Sequence, residues 1–278
     1  MNSHPLPPLC GLFICLISFV SPCLAVQQDV THPDSPDALS TKVDATPLIA
    51  TLRSLGWISS TNQGLEFSGT LTRFLGDQST DTQIHAWAFG PARIRLEIEG
   101  TQGTSSFVIR DGAGMRTPPG KASIPASAQT TMAAHQWIFP WLLLDSSLAS
   151  GQVDKVLSAL VQGEQATGYE IRPKEYLDKS QLNQKDTPYD WTFTIWISGK
   201  GLPLRIDYLL PAEDNRYTGV PCSRVYKDYQ SVEGVLVPKE EEEYLGDQRI
   251  ARLKFSNISI LPSIDESRFT LPSSGRSK

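Results

Sequence analysis

The sequence predicts a mainly β domain of the α+β class, built on an antiparallel sheet with inserted helices, and three features carry that expectation. From Leu65 onwards, successive segments alternate apolar and polar residues with a period of two. Turn signals such as Gly199-Lys200-Gly201 and Gly246-Asp247 separate the later segments. Consecutive strands follow one another through short turns without helical crossovers, which excludes a doubly wound parallel sheet.

Ahead of the domain stands a segment read as a cleaved secretory signal peptide, residues 1–25. It contains no Lys, Arg, Asp or Glu, and Leu9 to Val20 forms an apolar block too short to span a bilayer comfortably. Ser21 and Pro22 break it, and small residues lead to an expected cut between Ala25 and Val26. The competing reading is lipidation at Cys23, but Pro22 occupies the place where a lipobox wants Gly, Ala or Ser. Residues 26–45 are polar and aperiodic and are read as a flexible leader. The domain proper is expected over 46–272, followed by a tail over 273–278. Three of the four cysteines (Cys10, Cys15, Cys23) fall in the signal segment. The mature chain then keeps Cys222 alone, so no internal disulfide forms and core packing must hold the domain together. A net charge of -5 and a pI near 5.4 argue against a nucleic-acid partner.

The first predicted element is a short helix, with Asp44 as candidate cap, Pro47 in the first turn, Leu48, Ile49, Leu52 and Leu55 on one face, and Gly56 at its end. The expected strands then run from Leu65 to Thr72, Ile84 to Phe89, Ala92 to Glu99, Ser105 to Arg110 and Met115 to Thr117. Residues 126–139 read as a helix broken at Pro140. Alternation resumes in Val153–Val161, Gly168–Pro173, Trp191–Ser198, Pro203–Leu210, Val220–Tyr229, Val235–Leu245 and Arg249–Ile260, with Lys174–Pro188 as a long polar loop. This gives about ten or eleven strands in a meander.

Catalytic signatures are thin. His32, His85 and His135 are isolated, without metal-ligand spacing. There is no Gly-x-Ser-x-Gly elbow, no His-Glu-x-x-His pair and no phosphate loop. Cys222 reads as buried packing. Glu240 to Glu243 alternate faces in a strand and read as solvated residues guarding a sheet edge. An enzyme, a metal site and a cofactor are therefore not expected. Aromatic sheet faces are more informative: Trp87 with Phe89, Trp191 with Phe193, Ile195 and Ile197, and Leu204 with Ile206, Tyr208 and Leu210. In a closed sheet such faces form an ordinary core. In an open one they line a concavity that helices can lid.

The segments Phe89-Gly90-Pro91-Ala92-Arg93-Ile94-Arg95, Phe107-Val108-Ile109-Arg110-Asp111-Gly112, Tyr226-Lys227-Asp228-Tyr229, Val232 to Pro238 and Ile264 to Pro272 come in an order that resembles the outer-membrane lipoprotein carrier superfamily of the LolA and LolB type. The resemblance covers most of residues 46–272. It implies a strongly curved antiparallel sheet, half closed around an apolar cavity under a helical lid. It also implies non-covalent carriage or sensing of a lipid acyl chain or lipoprotein in the periplasm. The candidate lining is Trp87, Phe89, Ile94, Leu96, Phe107, Trp137, Phe139, Trp191 and Phe193. The alternative is an envelope-stress sensor or protein-interaction domain of the same fold, with a transient envelope protein as partner and no bound lipid.

Overall fold

The computed structural model describes residues 45–56, 64–89, 93–111, 113–126, 152–172, 192–211 and 219–273. The expected signal segment, the leader up to Asp44, the broken helix beyond Ala126 and the loop at 174–188 lie outside them. Helix α1 spans Thr46–Ser54, with Pro47 in its first turn and Leu48 and Leu52 fully buried. The expected cap, Asp44, lies outside the described residues, and the N-cap position belongs to Ala45, which offers no side-chain acceptor. Leu55 continues the apolar face and anchors the helix end: its carbonyl accepts a hydrogen bond from Leu236 N at 2.9 Å.

Among the described residues thirteen strands follow: β1 (Gly64–Leu75), β2 (Gln78–Phe89), β3 (Arg93–Gly100), β4 (Gly103–Arg110), β5 (Ala113–Thr117), β6 (Ile124–Pro125), β7 (Gln152–Val161), β8 (Glu164–Arg172), β9 (Phe193–Ser198), β10 (Pro203–Pro211), β11 (Gly219–Val232), β12 (Val235–Leu245) and β13 (Gln248–Leu261). Most expected strands recur with shifted ends, and Val235–Leu245 recurs unchanged. Two differences have clear causes. β2 begins at Gln78 because its polar first half pairs residue by residue with β1, down to Leu75 opposite Gln78. The two-residue β6 is too short to give any periodicity.

All thirteen strands join one open, curved sheet, in the order β6-β5-β4-β3-β2-β1-β13-β12-β11-β10-β9-β8-β7. Every neighbour pair is antiparallel. The meander expected from sequence is thus two meanders, β1 to β6 and β7 to β13, sewn together where β1 pairs with β13. At that seam a register shift falls between Ser68 and Gly69. Glycine is required there, since a Cβ would stand 2.4 Å from the Lys254 carbonyl oxygen.

Helix α1 packs on one face, called the inner face, and the main core sits there. Leu48 and Leu52 join Leu65, Phe67, Ile84, Ile94, Leu96, Ile195, Val237 and Ile258 in one continuous cluster. The outer face carries a smaller cluster of Val161, Ala166, Trp196 and Leu204. Its Trp196 ring lies flat on Gly168, where a Cβ would come within 2.7 Å of Cζ3. No helix among the described residues is long and apolar enough to cross a membrane.

Candidate functional site

The strand register sorts the expected lining residues. Ala86 faces Leu96 and Ala88 faces Ile94 across β2 and β3, and Leu96 faces Phe107 across β3 and β4. Ile94, Leu96 and Phe107 therefore share the inner face, each at most 6% exposed. Phe193 joins them from the other meander, between Tyr208 and Ile171. Trp137, Phe139 and Trp191 lie outside the described residues.

Trp87 and Phe89 share a face, as expected, but it is the outer one. Their cross-strand partners are Arg95 and Arg93, one residue out of phase with the inner row. Trp87 is nonetheless buried, because the chain returns over it. After β13 a single 3-10 turn, Glu266–Phe269, starts at Asp265, whose carboxylate accepts from Ser267 N at 2.9 Å. Phe269 is wholly buried. The Arg268 guanidinium stands 4.8 Å from the centre of the Trp87 ring, and the His85 ring lies 3.9 Å away from it. Arg93 pairs with Glu266 at 2.8 Å, and Arg95 Nη1 donates to the Arg268 carbonyl. His85, isolated in sequence, meets Glu66 at 2.8 Å.

The inner face also carries a group of polar residues that the sequence reading missed. β12 is flanked by β11 and β13, so Glu240 to Glu243 guard no edge. This corrects the reading of them as solvated edge residues: Glu241 is 4% exposed and Glu242 2%. Glu241 and Glu243 point inward, opposite Leu253 and Ala251 on one side and Tyr226 and Arg224 on the other. Arg73 shares the row, paired with Ala251 from β1. Tyr208 Oη donates to Glu243 Oε1 at 3.0 Å. Arg224 approaches Glu243 Oε1 at 3.7 Å through Nη2 and Glu241 Oε2 at 3.9 Å through Nη1.

Burial sets the electrostatics of this row. It pushes the Glu241 carboxyl up to about 7, with Glu243 adding to the shift and Arg224 opposing it. Burial disfavours the Arg224 cation, yet Glu243, Tyr208 and Glu241 hold it above its usual range. Burial lowers Arg73 to about 10, partly offset by Glu243. The Tyr208 and Tyr226 hydroxyls rise well above the usual phenol value, again chiefly from burial. Cys222 is buried beside Tyr208 and packs in the apolar cluster. Among the described residues, no three His, Cys, Asp or Glu side chains are grouped to hold a metal ion.

Alternation within Glu240 to Glu243 was visible in the sequence, and so were the inward places of Arg73 and Arg224 once each strand is phased. That β12 lies in the middle of the sheet depends on pairing that a single sequence does not encode locally.

No protein-family model matches the chain, and no curated protein matches it in sequence. Solved structures do match in fold. A LolA superfamily protein from Nitrosomonas europaea aligns over 82% of this chain and 98% of its own, at 10% identity and a TM-score of 0.57. A DUF1329 family protein from Desulfovibrio piger aligns over 81% and 97%, at 11% identity and a TM-score of 0.55. A putative outer membrane lipoprotein-sorting protein domain from Vibrio parahaemolyticus aligns over 82% and 97%, at 10% identity and a TM-score of 0.54. With an open, curved antiparallel sheet and an apolar inner face bearing one short helix, this chain has the LolA-like fold.

Proposed function

We propose that the mature chain is a periplasmic protein that shelters an acyl chain, of a lipid or a lipoprotein, against the inner face of its open sheet, as carrier or sensor. The observation that carries this reading is the continuous apolar inner face, which extends from Ile109 in β4 to Val153 in β7 on a sheet that does not close. The signal segment supports an envelope location, and the name of the Vibrio structure, a lipoprotein-sorting domain, supports the class of cargo.

Burial of methylenes, about 0.8 kcal/mol each, drives such binding without polar specificity. A dodecyl chain thereby gains on the order of 9 kcal/mol, enough to offset much of the association cost. Delipidated protein binds a fluorescent acyl-chain probe with an uncharged head at micromolar concentration, and Ile98→Glu, at the half-buried end of the inner row, weakens binding roughly tenfold or more. No displaceable probe signal at tens of micromolar protein overturns the reading. No reaction is proposed.

The exposed apolar side chains of edge strand β7, Val156 and Leu160, favour a second reading as a protein-interaction or stress-sensing domain. Probe-free protein that captures an envelope partner through β7, with no lipid requirement, distinguishes it.

A further inference from the structure

Two neighbouring carboxylates on β12 are treated oppositely. Glu242, on the outer face, receives three donors: Lys227 Nζ at 2.5 Å, Arg249 Nη1 at 2.6 Å and Tyr244 Oη at 2.8 Å. Glu241, on the inner face, is about as deeply buried, but among the described residues its Oε1 has no hydrogen-bond partner. The Arg224 guanidinium stands 3.9 Å from the other oxygen, beyond hydrogen-bond reach. A buried acceptor left unmade is costly, and a carboxylate kept only for fold specificity is ordinarily ligated on both oxygens, as Glu242 is.

The surroundings describe a receptor for a polar group at the end of an apolar path. Along β1 the inner positions Leu65, Phe67 and Leu71 lead to Arg73, and along β12 Val235 and Val237 lead, past the exposed Lys239, to Glu241 and Glu243. Two guanidinium groups and two carboxylates share the row, so their formal charges cancel when all are ionised. An anionic head brought there meets both Glu241 and Glu243. A hydroxyl or amide N–H instead offers Oε1 the donor it lacks.

We propose that the inner-face row around Glu241 is the head-group subsite of the acyl-binding surface, and that it selects amphiphiles whose head donates a hydrogen bond, with Glu241 Oε1 as acceptor. This rests on the acyl-chain reading above. The ligand class is a single acyl chain ending in a hydroxyl or amide, as in a monoacylglycerol.

The test compares two probes with the same chain, 1-monolauroylglycerol and methyl laurate, by titration calorimetry on the delipidated protein. The donor-bearing probe binds about tenfold more tightly to the wild type. Glu241→Leu brings the ratio to about one by weakening the monoacylglycerol alone. Glu241→Gln, of the same size, keeps a neutral acceptor and leaves a ratio of about three, so the comparison survives if the leucine variant fails to fold. Glu240→Gln, on the outer face, keeps the wild-type ratio. Equal binding of both probes to the wild type overturns the head-group proposal and leaves acyl binding standing. So does a tenfold preference that persists in Glu241→Gln and Glu241→Leu. If neither probe binds the wild type, both readings fall together.

Discussion

At the scale of single residues, the contrast between Glu241 and Glu242 sets opposite pH dependences. The Glu241 carboxyl is raised to about 7, so the folded protein holds a proton that the unfolded chain has released above about pH 4.5. Its contribution is present below 4.5 and is lost as pH rises through 7. Glu242 is lowered to about 2: burial opposes the shift, but hydrogen bonds from Lys227, Tyr244 and Arg249 outweigh it. Its contribution is present above 4.5 and is lost as pH falls towards 2. Thermal unfolding followed from pH 5 to 8 therefore shows a decline in Tm for the wild type that Glu241→Gln flattens. A decline of equal steepness in that variant removes Glu241 as its source. The sequence displayed both carboxylates and their alternation. It did not display their depth, because burial depended on whether β12 lay at an edge or in the middle.

At the scale of elements, the C-terminal strap is the part that local reasoning could least supply. The motif Ile264 to Pro272 carries a family resemblance but no periodicity, whereas its physical role is to cover Trp87 and the outer side of β3 and β4. Phe269 is its anchor, and Phe269→Ala removes a wholly buried ring, at a cost of about 3–5 kcal/mol in urea denaturation. Trp87 emission shifts to the red in the same variant, because Arg268 and the 3-10 turn no longer exclude water. An unchanged spectrum shows that the strap does not depend on Phe269. Alternation correctly placed Trp87 with Phe89, and Ile94 with Leu96. It left the phase between the two strands open, and the register across β2 and β3 put the pairs on opposite faces. For the same reason four of the nine expected lining residues meet on the inner face, two leave it and three lie outside the described residues. Strand interiors were legible because burial on one face imposes a period of two; the polar start of β2 was not, because both its faces are wet.

At the scale of the whole molecule, the sheet's two edges are unlike. β6 is two residues long and contains Pro125, whereas β7 is ten residues long, with Val156, Leu157 and Leu160 exposed. The fold class was readable because turn-linked alternation dictates antiparallel neighbours. The seam between β1 and β13 was not, since it joins residues as distant as Gly64 and Leu261.

That seam also determines how the chain could be rewired. Gly64 pairs with Leu261, so the domain begins and ends side by side in the middle of the sheet, while β6 and β7, consecutive in sequence, form its opposite margins. A circular permutant that joins residue 273 to residue 45 through a short linker and opens between 126 and 152 would run β7 to β13 and then β1 to β6. Every hydrogen-bonded neighbour would then be its successor in the chain. The longest-range pairing becomes a local one, and the permutant refolds faster than the natural order, by roughly an order of magnitude in stopped-flow fluorescence. Equal refolding rates would show that zipping β1 to β13 is not the slow step. In the natural order the first and last strands meet at the centre of the sheet, and two strands consecutive in sequence, β6 and β7, stand at its opposite margins.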